Sequence, residues 1–354
     1  MRPETIDFDR LLTRARQLTD PAARLAAQLR DLLGPDIHTF TPTENRAGAY
    51  ACVDGAVASE QTDAVTWTTC VGVRQSPGLD DVVVPCATVT PVGAETDRVR
   101  GALMASAEVA AALSTPPDRQ VFMDGGIATP LVSIAQGLAV TAPAAMDAIH
   151  EHYTHIDMPG LVADYVEAVL AGQIAALPKQ DTSSAYSAAW AREHAHTVDA
   201  EVAQTLAGLR DRPTLTAVLR PGEWFTPRLA DEMRHVEAKM MTRDGLRPAR
   251  VDAHYARLRE HDALHVLYFK PTLLPERVIK VEYRETDPGT WADARRLIAL
   301  LDSQTLGPRI REPIMQHEAD AAAKQHVTLA MGEVMATATA ALGFDAVAAY
   351  RTTR

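Results

Sequence analysis

Apolar and polar positions along the chain follow two rhythms, one close to the helical period and one close to alternation. Leucines at helical spacing (Leu11, Leu12, Leu18, Leu25, Leu29 and Leu32) predict two opening amphipathic helices. The first covers about Asp7 to Leu18. The second starts at Asp20-Pro21, a capping residue followed by the proline favoured in a first turn, and stops at Gly34-Pro35. Three runs rich in Val, Thr, Trp and Cys then predict strands over Ala49–Ala58, Ala64–Arg74 and Asp81–Val89, with a turn at Ser76-Pro77-Gly78. The alanine-rich stretch Glu95–Leu113 predicts a helix, Gln120–Asp124 a short buried strand, and Ala142–Ala176 a helix interrupted at Pro159-Gly160. From about 180 to 260 the pattern is polar helix and loop. Leu264–Lys270 and Arg277–Arg284 read as a strand pair, the second alternating Val278, Lys280 and Glu282 against Ile279, Val281 and Tyr283. Asp293–Ser303 and Glu312–Leu342 read as closing helices.

Composition narrows this picture modestly. With 354 residues, 47% hydrophobic and 23% charged, the chain can bury a sizeable core, and no segment reaches the ~20 apolar residues a membrane span needs. The three cysteines, Cys52, Cys70 and Cys86, form no CxxC pair and lie in apolar runs, which suits structural thiols in a reducing compartment. The first ten residues, "MRPETIDFDR", carry acids where a signal peptide would be apolar, so a cytoplasmic location is expected. A net charge of −11 argues against broad coating of nucleic acid, though acidic metal ligands beside a local basic groove remain compatible with it. No repeat or low-complexity linker divides the chain. The expected organisation is residues 1–40 as N-terminal helices, for dimer or partner docking, and residues 41–354 as one domain with a helical insertion at about 180–260.

Twice a hydrophobic run drives directly into Asp-Gly, in "YACVDG" at Asp54 and in "VFMDGG" at Asp124. Asp-Gly alone is usually a turn, and Asp244-Gly245, which follows polar residues, is read only that way. Glu108 lies mid-helix among Met104, Ala105, Ala107, Ala111 and Ala112, where little but an inward role explains an acid. Asp320 sits in the last helix, in "EADAAAK", with Glu318 and His317 as rivals. Strand, strand, strand, helix, strand and a late helix, with carboxylates on the first strand, first helix, fourth strand and last helix, is an RNase H-like layout. It predicts an α/β fold with a mixed sheet flanked by helices. Such carboxylates suit two Mg²⁺ or Mn²⁺ ions, which prefer oxygen ligands and together activate a water and stabilise the leaving oxygen of a phosphodiester.

These residues resemble the NurA family of DNA-end-processing nucleases. "YACVDGAVAS" is similar to its first motif, an apolar strand ending in Asp-Gly-Ser, with Ala56 in the serine position. "VFMDGGIATPL" is similar to its second, with Gly126 and Ile127 substituted. Glu108 falls where the family carries a helical glutamate, "LPKQDTSSAYS" resembles its Lys-containing segment, "RVIKVEYRE" a late strand, and "REPIMQHEADAAAKQ" its closing motif. The resemblance implies Asp54, Glu108, Asp124 and Asp320 as metal ligands for two Mn²⁺ (or Mg²⁺) ions and Lys179 as a phosphate contact. It implies single-strand endonuclease and 5′–3′ exonuclease activity on DNA, by a homodimer working with a hexameric HerA-type ATPase in end resection and double-strand break repair. The sequence has no GxxxxGK[ST] motif, in keeping with a motor on another chain. A non-catalytic RNase H-like scaffold that binds DNA or regulates an ATPase is the alternative, since the flanks of both Asp-Gly motifs depart from the family pattern.

Other features carry less. The spacing of His150, His152 and His155 does not match a zinc motif. The serines of "TSSAYS" lack a GxSxG elbow. The Arg-rich stretch from Arg210 to Arg259, interleaved with Trp224, Phe225 and Tyr255, reads equally as a DNA track or as a solvated helical face or dimer contact.

Overall fold

A computed structural model describes residues 12–14, 26–41, 50–62, 64–93, 95–179, 185–194, 196, 202–204, 208–229, 257–258, 264–273, 277–305 and 313–342. In chain order the strands are β1 (Ile37–Thr39), β2 (Tyr50–Gln61), β3 (Val65–Gln75), β4 (Val82–Pro91), β5 (Gln120–Asp124), β6 (Ile174–Leu177), β7 (Glu223–Leu229), β8 (Leu264–Lys270) and β9 (Ile279–Arg284). Helices α1 (Thr96–Leu113), α2 (Thr129–Leu138), α3 (Pro143–His155) and α4 (Met158–Leu170) lie between β4 and β6. Helices α5 (Ala185–Glu193) and α6 (Asp211–Val218) precede β7, and α7 (Ala292–Asp302) and α8 (Ile314–Leu342) close the order.

The strands join in one nine-stranded sheet, ordered β1-β7-β8-β9-β6-β5-β2-β3-β4. β2, β5 and β6 are mutually parallel, and every other pairing is antiparallel. The portion β4-β3-β2-β5-β6, three antiparallel strands followed by two parallel ones, is the RNase H-like arrangement expected from the sequence. Strands buried on both faces need apolar side chains in both directions, and the central strands supply them. Val53, Val121, Met123, Ile174 and Ala176 point to a core built with α1 to α4, including Leu103, Leu131, Ile149 and Tyr165. Their alternates Cys52, Phe122, Ala175 and Leu177 point to the opposite core with Leu297, Ile298 and Leu301 of α7 and Ala319 of α8. Further along that second face, Ala56, Val71 and Val73 meet Ala323 and Val327 of α8.

Several expectations are corrected. Ile174–Leu177 is a strand rather than the end of a helix, because its four residues fill the groove beside β5 with parallel register from Val121↔Ile174 to Asp124↔Leu177. The preceding helix breaks at Asp157, which is left-handed (φ 48°), so that Pro159 falls in the first turn of α4, where its missing N–H costs nothing. β7 lies within the stretch expected to be helical and loop; Trp224 and Phe225 are buried, not a surface platform for bases. Tyr255 and the Asp244-Gly245 turn lie outside the described residues. Of the opening leucines, Leu12 is 54% exposed, whereas Leu29 and its neighbour Leu33 are buried against Trp190, Leu215 and Phe225.

Helix α1 sits on β2 and β3 with almost nothing between them. A Cβ built at Gly72 would lie 2.2 Å from the Ala107 carbonyl oxygen, and one at Gly55 would lie 2.3 Å from Glu108 Oε1. Gly55 and Gly72 are cross-strand partners, so they form one bare patch that admits the helix. Backbone cannot yield as a flexible side chain does. Gly72→Ala is therefore expected to destabilise the protein by roughly 2–4 kcal/mol. Gly101→Ala, in an open position of the same helix, should stabilise it by about 0.5–1 kcal/mol. Urea unfolding of the two variants beside the parent checks both signs.

Candidate metal centre

Parallel register does the first part of the assembly. Val53 pairs with Met123 and Asp124 with Leu177, so the next residues bring Asp54 and Asp124 side by side and place Lys179 just beyond the end of β6. Asp54 in the middle of β2, Asp124 at the carboxyl end of β5 and Lys179 just after β6 are thus brought together by three adjacent parallel strands. Asp54 lies inside its strand, although the apolar run before it stops there. β2 continues through Gln61, and Gly55 serves close packing, not a turn. At Asp124 the turn is real, since Gly125 is left-handed with φ 81°.

Lys179 stands at the centre of the acids. Its Nζ donates to Asp54 Oδ2 at 2.7 Å and lies 3.3 Å from Asp124 Oδ2 and 3.8 Å from Asp320 Oδ1. Asp54 is 3% exposed and is further oriented by the Gly55 N–H, 2.8 Å from Oδ1, and by Gln316 Nε2, 3.2 Å from Oδ2. Gln316 also donates to the Val53 carbonyl at 3.1 Å. Asp320 lies one helical turn beyond Gln316 on the same face of α8 and accepts from Lys324 at 2.6 Å, whereas the rivals His317 and Glu318 are exposed.

Glu108 enters from the opposite face of the sheet. Alternation puts Asp54 on the α8 side and Gly55 on the α1 side, and the Glu108 carboxylate fills the space a side chain at residue 55 would take. Burial, and then the charges of Asp54 and Asp124, push the Glu108 carboxyl up to about 8, with Lys179 acting against the rise. Burial and Asp124 likewise push Asp54 up to about 6, opposed by Lys179 and the Gly55 N–H. The structure therefore brings all five expected residues together: three acids on one ammonium, and the fourth pressed against them.

Two contributors escaped the sequence reading. Gln316 reads as an ordinary helix residue, and only the approach of α8 to β2 reveals its role. Glu282, on the alternating strand, accepts the Ile127 N–H at 2.9 Å and faces Lys280 at 3.2 Å. Its Oε2 would lie 2.9 Å from a Cβ at residue 126, so a side chain there would have to displace the Glu282 carboxylate. Behind Lys179, Arg212 donates to the Pro178 and Lys179 carbonyls at 2.5 and 2.7 Å, and Arg277 donates to the Lys179 carbonyl at 2.7 Å. A cavity of about 180 Å³ opens there, lined by Lys179, Arg212, Arg277, Lys280, Gln316 and apolar residues. Elsewhere, His152 is engaged by Ser106 at 2.8 Å.

Among the described residues no three His, Cys, Asp or Glu side chains converge directly on a metal position; the carboxylates converge on the ammonium instead. The donor set fits a hard divalent cation all the same. It is all carboxylate oxygen, the donor type that such ions prefer.

Fold and site together define an RNase H-like α/β protein with a carboxylate cluster gathered on its central parallel strands and the two helices packed against them. Structure comparison makes the fold specific: it is the NurA fold. The NurA nuclease from Sulfolobus solfataricus superposes with a TM-score of 0.57 over 93% of this chain and 97% of that one, at 11% identity. A crystal structure of NurA with manganese gives a TM-score of 0.55 over 94% and 98%, at 9% identity. No protein-family model and no curated protein matches the sequence.

The raised carboxyls have a stability consequence with a definite sign. Folded Glu108 binds its proton up to about pH 8, whereas an unfolded glutamate releases it near 4.3, so metal-free stability falls as pH rises through that window. Glu108→Gln removes the penalty. In chelator, its melting temperature is expected to match the parent near pH 4.5 and to exceed it by on the order of a few °C above pH 8; a pH series of thermal melts checks this.

Proposed function

We propose that this chain is a metal-dependent nuclease that cleaves DNA. The observation that carries the reading is the convergence of Asp54, Asp124 and Asp320 on one cationic position, with Glu108 packed against them, in a chain of NurA fold. NurA with manganese supports the choice of metal. In this reading Asp54, Glu108, Asp124 and Asp320 hold two Mn²⁺ or Mg²⁺ ions, which would supply an activated water and charge stabilisation at the phosphate.

The chain's own groups do the positioning. The Gly55 N–H and Gln316 fix both oxygens of Asp54, and Glu282 holds the backbone just after Asp124 through Ile127. The cations around the cavity, Lys179, Arg212, Arg277 and Lys280, supply a local positive wall for phosphates of a strand, which a chain of net charge −11 needs close to its chemistry. Lys179 is the phosphate contact in this reading. Single-strand endonuclease and 5′–3′ exonuclease action in the cytoplasm, as a homodimer in end resection and break repair with a HerA-type ATPase, completes it and rests on the motif resemblance. Among the described residues no helix is long and apolar enough to cross a membrane.

Labelled single- and double-stranded DNA incubated with Mn²⁺, with and without chelator, tests the proposal. The parent is expected to cut, and Asp54→Asn and Asp124→Asn to lose at least about 10³-fold in rate with their circular dichroism spectra unchanged. Undiminished cleavage by either variant removes the acids from the mechanism. Binding of DNA without cleavage by the parent would establish the scaffold reading instead.

A further inference from the structure

We propose that Lys179 is a resident counter-ion that occupies the place of a divalent cation among the carboxylates and is exchanged for it when metal binds. The inference rests on the metal-centre reading and adds to it a competitor built into the chain. Three observations carry it. First, one ammonium contacts carboxylates from β2, β5 and α8 at 2.7, 3.3 and 3.8 Å, so a single positive charge is shared among three of the acids that the metal-centre reading makes ligands. Secondly, the lysine's backbone is held independently of its head group. Arg212 and Arg277 both donate to the Lys179 carbonyl at 2.7 Å, so the side chain is a tether whose anchor stays in place while its end moves. Thirdly, the side chain is 34% exposed and borders the cavity of about 180 Å³, so the displaced ammonium has somewhere to go.

An ordinary structural ion pair looks different here. Lys280 is itself buried and faces Glu282, and Lys324 pairs only with Asp320 on the helix surface. Lys179 instead serves three acids at once and leaves them with excess negative charge. A single positive charge holds the cluster together without satisfying it, and a divalent ion satisfies it better. Because the cavity is already lined by Arg212, Arg277 and Lys280, the released ammonium is best received there when a phosphate is present. Exchange of lysine for metal is thereby linked to arrival of an anionic substrate.

The test is Mn²⁺ binding to the metal-free full-length chain, followed by the electron paramagnetic resonance signal of free Mn²⁺, for the parent, Lys179→Met, Lys179→Gln, Lys179→Arg and Asp124→Asn. Lys179→Met and Lys179→Gln are expected to bind Mn²⁺ at least about ten-fold more tightly than the parent, Lys179→Arg to stay near it, and Asp124→Asn to bind more weakly. In chelator the two neutral variants should also melt below the parent at pH 8 and gain more than it does from added Mn²⁺. Unchanged or weaker binding in both neutral variants, with binding still lost in Asp124→Asn, would overturn the exchange and leave the metal centre standing. Absence of Mn²⁺ binding in the parent, or binding indifferent to Asp124→Asn, would overturn the metal reading and the exchange with it.

Discussion

Like charges held together in a half-buried cleft are the constraint around which this molecule is arranged. Carboxylates a few ångströms apart repel by on the order of 4 kcal/mol at an effective dielectric of about 20, and a folded chain tolerates that only when other interactions fix the groups. Here the fixing is done by the sheet. Two of the acids follow hydrophobic strands whose parallel register is set by burial on both faces, so they cannot separate without unpairing the core. The third rides on a helix that buries Ala319 and Ala323 against the same strands, and the fourth on a helix seated on bare glycine. The residual strain appears as the raised affinity of Glu108 and Asp54 for protons.

Much of this arrangement was readable from the chain, for a physical reason. Strands that end or pass through the centre of a domain must be apolar, so a carboxylate directly after Val53 or Met123 stands out. The spacing that placed Glu108 on a helix following three strands needed only local patterns. What the chain did not reveal depended on contacts distant in sequence. Ile174–Leu177 reads as helix because its alanines fit either period, and only a neighbouring strand decides. The strand holding Trp224 and Phe225 was hidden by the basic residues around it. Gln316, Glu282, Arg212 and Arg277 carry no local signature, since each acts on a residue tens to hundreds of positions away.

The site also shows how two Asp-Gly pairs of the same spelling can serve different ends. After Asp124 the glycine turns the chain through a left-handed residue, and the next glycine makes room for Glu282. After Asp54 the strand runs on without a bend, and the glycine is a window through which an acid on one face of the sheet meets acids on the other. In this chain the dipeptide marks a carboxylate with space beside it in both places, and a turn in only one of them.

That window ties three distant positions into a single unit of inheritance. A side chain at residue 72 would meet the helix backbone at Ala107, and one at residue 55 would displace the Glu108 carboxylate itself. Neither glycine can drift while the glutamate stays, and the glutamate loses its purpose if either glycine goes. The three positions are thus constrained by one another through the sheet, across more than fifty residues of sequence.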